Sequence, residues 1–218
     1  MKRPASSKKK NQDKYEEILL AAKRLFSKQG YEQTSVRQIV EEANTSMGNL
    51  YFHFPNKLAI LKAICKNYIN ILRQQIYEVH KLSLPPEVGF ALDLKIGYIN
   101  TLENPNLFPL WLVIRRIPEI HKYSLENKKI RLKTFFGDQI PAEELDLLAI
   151  AIQGIADSFY EQKKAGKLPK NLTKPGYQII DFALRLLGYS RERIDQVIQQ
   201  VEDYIQKENI GIADYFKS

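Results

Sequence analysis

Apolar positions recur every three or four residues along most of the chain, and no stretch sustains the alternation of a half-buried strand. Ile18, Ala22, Leu25 and Phe26 share one helical face from about Lys14 onward, and Gly30 ends that helix as a C-terminal cap would. Thr34 and Ser35 then offer an N-cap, and Ser35 with Gln38 makes a capping-box pattern. Val36, Ile39, Val40 and Ala43 form the inner stripe of a short second helix. Asn44 suits a left-handed turn position. Thr45 or Ser46 caps a third helix, which must end before Pro55 because the residue ahead of a proline is pushed out of helical geometry. Asn56 caps a fourth, long helix through Leu58, Leu61, Ile64, Tyr68, Ile71 and Leu72 to about His80.

Pro85-Pro86 breaks the pattern. Helices are expected again over 87–101, 107–117 and 119–136, punctuated by Pro105, Pro109 and Pro118. The segments 142–164 and 177–187 are apolar almost all round, and helices without a polar face must be covered on two sides. A second copy of the chain is the natural cover. Ala151, Gly154 and Ser158 make a small-residue stripe at helical spacing, and Ile180 and Leu184 join them in the expected seam. A last amphipathic helix follows through Ile194, Val197, Ile198, Val201 and Ile205. The fold class is therefore all-α, with a basic arm (1–12), a small N-terminal unit (13–58) and a larger helical domain (59–218).

Composition narrows the classes. The chain has 218 residues, 44% hydrophobic and 27% charged, an ordinary soluble make-up. No apolar run approaches the roughly 18 residues of a membrane span, and no hydrophobic stretch follows the polar N-terminus as a secretory signal requires. Cys65 is the only cysteine, so no intrachain disulfide exists, and a reducing cytoplasm is the expected setting. The net charge is +8, and residues 1–60 hold eleven Lys and Arg against six acids, a surplus of five. A basic terminal region suits an anionic partner such as nucleic acid, and a solubilising tail suits it equally. Residues 1–12, "MKRPASSKKKNQ", lack apolar periodicity and read as a disordered arm.

The stretch "TSVRQIVEEANTSMGNLYFHFPNK" over 34–57 changes that balance. Two short helices joined by a tight turn, the second opening on small polar residues, form a helix-turn-helix. Its second helix is the one that enters the DNA major groove, N-terminal residues toward the bases. Gly48 fits that role: a glycine costs helix propensity, about 1 kcal/mol against alanine, and permits close approach. Leu50 and Phe54 point back toward Phe26, Val36 and Ile39, which anchors a helix too short to stand alone.

The same stretch closely resembles the N-terminal DNA-binding segment of TetR-type transcriptional regulators, and "EEILLAAKRLFSKQGYEQTS" fits that family's first helix. The likeness is specific over about 15–64 and architectural beyond. Asn44 and Thr45 depart from the family's usual glycine and buried aliphatic. Thr45 either packs as a valine would or faces DNA. The resemblance implies that Thr34, Ser35, Tyr51, His53 and Lys57 grip phosphates, and that Arg37, Thr45, Met47 and Asn49 face bases, with Ser46 at the helix start and Gly48 as the approach point. The chemistry agrees, since Arg suits guanine, Asn suits adenine and Met touches a thymine methyl. Tyr51 fits the core as well, and Thr34 and Ser35 fit plain caps.

The family also implies a twofold dimer on a near-palindromic operator, and a small effector bound inside the second domain. Phe90, Tyr98, Phe108, Trp111, Arg115 and His121 are the candidate lining, suited to an apolar or anionic molecule; ordinary core packing and a solvated edge at "RRIPEIH" are the duller readings. The histidines at 53, 80 and 121 lie far apart, so no metal or other cofactor is expected. No phosphate loop or nucleophile elbow appears, which argues against an enzyme. The expected function is a dimeric repressor released from DNA by a small ligand. A ligand-independent DNA-binding protein of the same fold, architectural or in cell division, is the alternative.

Overall fold

Local capping chemistry sets the helix limits. The computed structural model describes residues 5–80, 83–105, 107–169 and 175–207, and no strand occurs among them. The first unit comprises α1 (Ala5–Gln29), α2 (Val36–Glu42), α3 (Met47–His53) and the start of α4 (Lys57–His80). Helix α1 begins at Ala5, well inside the stretch expected to be a disordered arm. The correction has a local cause. Residues 5–14 contain no glycine or proline and hold four lysines, good helix formers, and Gln12–Glu16 and Lys14–Glu17 pair along the helix at 3.0 and 2.5 Å.

The larger unit holds α5 (Pro86–Leu94), a π-helical turn (Lys95–Ile99), α6 (Asn100–Glu103), α7 (Leu107–Ile114) and α8 (Pro118–Phe136). A 3₁₀ turn (Gly137–Gln139), α9 (Ala142–Lys164), α10 (Pro175–Leu186) and α11 (Arg191–Lys207) complete it. The single helix expected over 87–101 is thus three pieces. Gly97 weakens the ladder there, and Thr101 Oγ1 donates to its carbonyl at 2.8 Å. Helix α5 is buried from Glu87 to Leu94 because α4, α8, α10 and α11 all pack on it. Helix α4 links the units, resting on α1 near its start and on α5 and α8 further along.

Ile18, Phe26, Ile39, Leu50 and Phe54 fill the small core, as their spacing predicts. Leu92, Leu102, Leu132, Ile152, Tyr160 and Ile179 fill the large one. Helices α9 and α10 prove two-sided. Leu147 (68% exposed), Ile150 (55%), Gly154, Ser158, Phe182 and Leu186 face outward, with Ala151 half-buried. Ile180 and Leu184 correct the expected seam: both are fully buried in their own chain and have no surface to give a partner. No helix among the described residues is long and apolar enough to cross a membrane.

Candidate nucleic-acid interface

The helix-turn-helix is built from caps inward. Ser35 Oγ accepts from the Gln38 amide at 3.2 Å while Gln38 Oε1 accepts from the Ser35 amide at 2.8 Å, closing the capping box that starts α2. Asn44 takes the left-handed turn position at φ +44°, which short polar side chains tolerate. Ser46 rather than Thr45 is the N-cap of α3, accepting from the Asn49 amide at 3.1 Å. Leu50 is fully buried, and Phe54 stacks on Tyr15 with ring centroids 4.9 Å apart. These contacts fix α3 by one face and leave Ser46, Met47, Gly48 and Tyr51 exposed on the other, with Asn49 half-buried.

Gly48 is the informative position. A Cβ built there meets no atom within 4 Å, so the protein's own packing does not require a glycine. Thr45 is half-buried and its hydroxyl accepts from Asn49 Nδ2 at 2.8 Å, which aims the Asn49 amide. The Thr45 hydroxyl therefore lies on the same side of α3 as the Asn49 side chain. Arg37 extends into solvent with Glu41 3.1 Å from its Nε.

Three residues expected on phosphates are otherwise engaged. Thr34 is 1% exposed; its hydroxyl donates to the Gly30 carbonyl at 2.7 Å and closes the end of α1. His53 is half-buried, with Nε2 covered and its ring packed edge-on to Tyr15 and Phe52. Lys57 Nζ donates to the Tyr31 and Thr34 carbonyls at 2.7 and 2.8 Å and sits 4.2 Å above the Tyr31 ring. The ammonium therefore pins the α1–α2 loop to the start of α4. Phe52 is 66% exposed on the outer side of α3, opposite the buried face of Leu50 and Phe54.

The candidate effector residues fall into separate places. Phe108 and Trp111 lie 6.2 and 6.3 Å from the Tyr160 ring, and the Arg115 guanidinium lies 5.9 Å from it. Arg115 is shared by Asp157 and Glu161 at 3.5 and 3.3 Å, so its charge is already met within the chain. Phe90 belongs elsewhere, packed edge-on to Phe135 and Phe136. His121 is exposed on α8 and lines no interior. The side chain of Tyr98 lies outside the described residues. Tyr160, which continues the inner stripe Ile152–Ala156 at i+4 spacing, is the buried ring that Phe108, Trp111 and Arg115 share.

A three-helix unit carrying a helix-turn-helix thus stands beside a larger helical domain. The comparisons agree. Residues 18–64 match the family model described as bacterial regulatory proteins, tetR family. The regulator LmrA of Bacillus subtilis is 41% identical over 88 residues, which cover 38% of this chain and 45% of that protein. The uncharacterized regulator YuxN of the same organism is 29% identical over 114 residues, covering 52% and 39%. The chain spans about half the length, or less, of these curated relatives. Among solved structures, RolR in complex with resorcinol superposes with a TM-score of 0.67 at 16% identity, covering 87% of this chain and 94% of that one. SmeT, repressor of a Stenotrophomonas maltophilia multidrug efflux pump, superposes with 0.62 at 19%, covering 80% and 91%. Residues 18–64 thus match a tetR-family segment, and the chain as a whole shares the fold of the RolR and SmeT structures.

Proposed function

We propose that the chain works as a twofold dimer on a near-palindromic DNA operator, as a cytoplasmic repressor released by a small effector. The observation that carries the DNA reading is Gly48, an exposed helical glycine with free space around its Cα. Close approach of α3 to base edges explains it, with Asn49, aimed by Thr45, and Met47 as readers. Ser35, Tyr51 and Arg37 are the exposed flanking contacts.

The dimer reading rests on the same argument made on α9. A Cβ at Gly154 meets nothing within 4 Å, and the residue is exposed in mid-helix beside Leu147 and Ile150. Phe182 and Leu186 extend that apolar face onto α10, with Phe159 6.5 Å from Phe182. Self-complementary helices of this kind pair about a twofold axis, and a twofold protein reads a near-palindrome. Repression and effector release follow the likeness to a resorcinol-bound neighbour and an efflux-pump repressor. Because Asp157 and Glu161 already hold Arg115, its case for an anionic effector is weak.

Selecting bound DNA from a random pool and then screening compounds for release tests the whole reading. A palindromic consensus and a releasing compound are expected. Enrichment of no sequence contradicts specific recognition, and a consensus that no compound releases leaves a ligand-independent binder.

A further inference from the structure

Ionisable side chains occupy the middle of the helical domain, where leucines would pack without electrostatic cost. Asp93 of α5 is 1% exposed, and Lys128 of α8 and Gln153 of α9 are nearly as buried. Arg131 of α8 stands 3.2 Å from Asp93, joining α5 to α8. Lys128 donates to Ser124 Oγ at 3.0 Å and to Gln153 Oε1, joining α8 to α9. Buried charges of this kind are costly, and functional sites are where proteins retain them.

We propose that the cluster of Asp93, Lys128, Arg131 and Gln153 recognises the effector, and that the effector is a small, uncharged, hydroxyl-bearing ring compound. The site rests on the effector reading above and gives it a chemistry. Both carboxylate oxygens of Asp93 and the Nε of Arg131 are buried without a hydrogen-bond partner, an arrangement native interiors rarely leave. A hydroxyl answers both, donating to Asp93 and accepting from Arg131. The opposed charges of Asp93 and Arg131 disfavour an ion of either sign: a carboxylate would meet Asp93, and an ammonium would meet Arg131 and Lys128. One turn from these residues, Phe90 and Phe135 supply ring faces on the same two helices.

A second observation points to the same place. The π-helical turn Lys95–Ile99 interrupts the chain directly after α5, and Arg131 packs over it, Nη1 lying 3.5 Å from where a Gly97 Cβ would stand. Such turns inside helices concentrate at functional sites. A route to the DNA unit is present as well. Tyr68 of α4 is buried, hydrogen-bonded to Thr101 behind that turn and within the field of Arg131, and α4 begins at Lys57, which holds the loop ahead of α2.

The test uses the full chain and three probes sharing one ring: phenol, benzoate and benzylamine, with neutral, anionic and cationic heads. Thermal shift reports binding, and release of the selected operator reports control. Phenol is expected to raise the unfolding temperature at millimolar concentration, benzoate and benzylamine to act at least roughly tenfold more weakly, and Asp93→Asn to weaken the phenol midpoint by roughly tenfold or more. Arg131→Lys, which keeps the charge and loses Nε, serves as a second variant should Asp93→Asn unfold. Phenol failing to bind, or binding both variants as it binds the parent, overturns the site. Benzoate releasing operator from parent and Asp93→Asn alike also overturns it, while upholding effector control. Phenol bound through Asp93 with the operator retained upholds the site and overturns effector control.

Discussion

Replacing Lys57 with methionine keeps the length of the side chain and removes its ammonium. In the structure that ammonium makes two short bonds, 2.7 Å to the Tyr31 carbonyl and 2.8 Å to the Thr34 carbonyl, and caps the Tyr31 ring at 4.2 Å. A hydrogen bond to a charged group is worth about 1.5–3 kcal/mol net when buried. Lys57 is half-buried and water replaces part of the loss, so the two bonds together come to about 2 kcal/mol. The ring contact adds about 0.5 kcal/mol at a partly exposed site. Lys57→Met should therefore destabilise by about 2–3 kcal/mol, or roughly 4–12 °C in unfolding temperature for a chain of this size. The loop it pins ends at Ser35, so DNA affinity should fall for every sequence. The salt dependence separates the two roles. Loss of a phosphate contact takes about 0.9 from the slope of log K against log salt, whereas loss of a loop pin leaves the slope unchanged. Urea melts and DNA titrations at several salt concentrations measure both. An unchanged melt with a slope smaller by about one would refute the reasoning and return Lys57 to the phosphate backbone.

Asn49→Ala should cost about 1–3 kcal/mol and relax one base position in a new selection, and Thr45→Val should relax the same position more weakly; an unchanged consensus in either variant speaks against the pair. Leu147→Lys with Ile150→Lys, both exposed in the single chain, should yield monomers by sedimentation, and a sharply dimeric double variant moves the seam off α9. Burial, with Arg131 close by, pushes the Lys128 ammonium down from 10.5 to about 7, so between those values the unfolded chain binds a proton the native chain lacks. Stability should therefore rise with pH from about 7 toward 9, and Lys128→Met should flatten the rise. Above that, burial works the other way for Cys65, whose thiol is pushed up to about 12; the stability it lends is present below its unfolded value of 9.0 and lost as pH climbs through 12. A urea midpoint falling between pH 7 and 9 contradicts the Lys128 account.

Local chemistry made most helix ends legible in the sequence. Gly30 at φ +88°, Asn44 at φ +44° and the Ser35–Gln38 box each act within a few residues of themselves, so no tertiary knowledge was needed. The helix-turn-helix was legible for the same reason, because Ser46 caps α3 and Leu50 and Phe54 anchor it within one short stretch. Partner choice was not. Thr34 and Lys57 are polar residues beside a DNA-binding motif, and only the folded loop shows that both are occupied with the carbonyls of 30–34. Ile180 and Leu184 failed for a related reason: on a helix apolar all round, periodicity cannot say which face its own chain covers. The polar cluster at Asp93 and Lys128 left no trace in the pattern, since single charges within helices normally read as solvated positions.

Footprinting of Gly48→Leu on the selected operator is the most direct test of the central claim, that α3 enters the groove at Gly48. The free space around that Cα lets the leucine fold without a clash, and exchanging a helical glycine for a better helix former should hold or slightly raise the urea midpoint, by up to about 1 kcal/mol. The account predicts a folded protein with unchanged circular dichroism and no specific footprint at concentrations where the parent protects its site. A normal footprint from that same folded variant would contradict it.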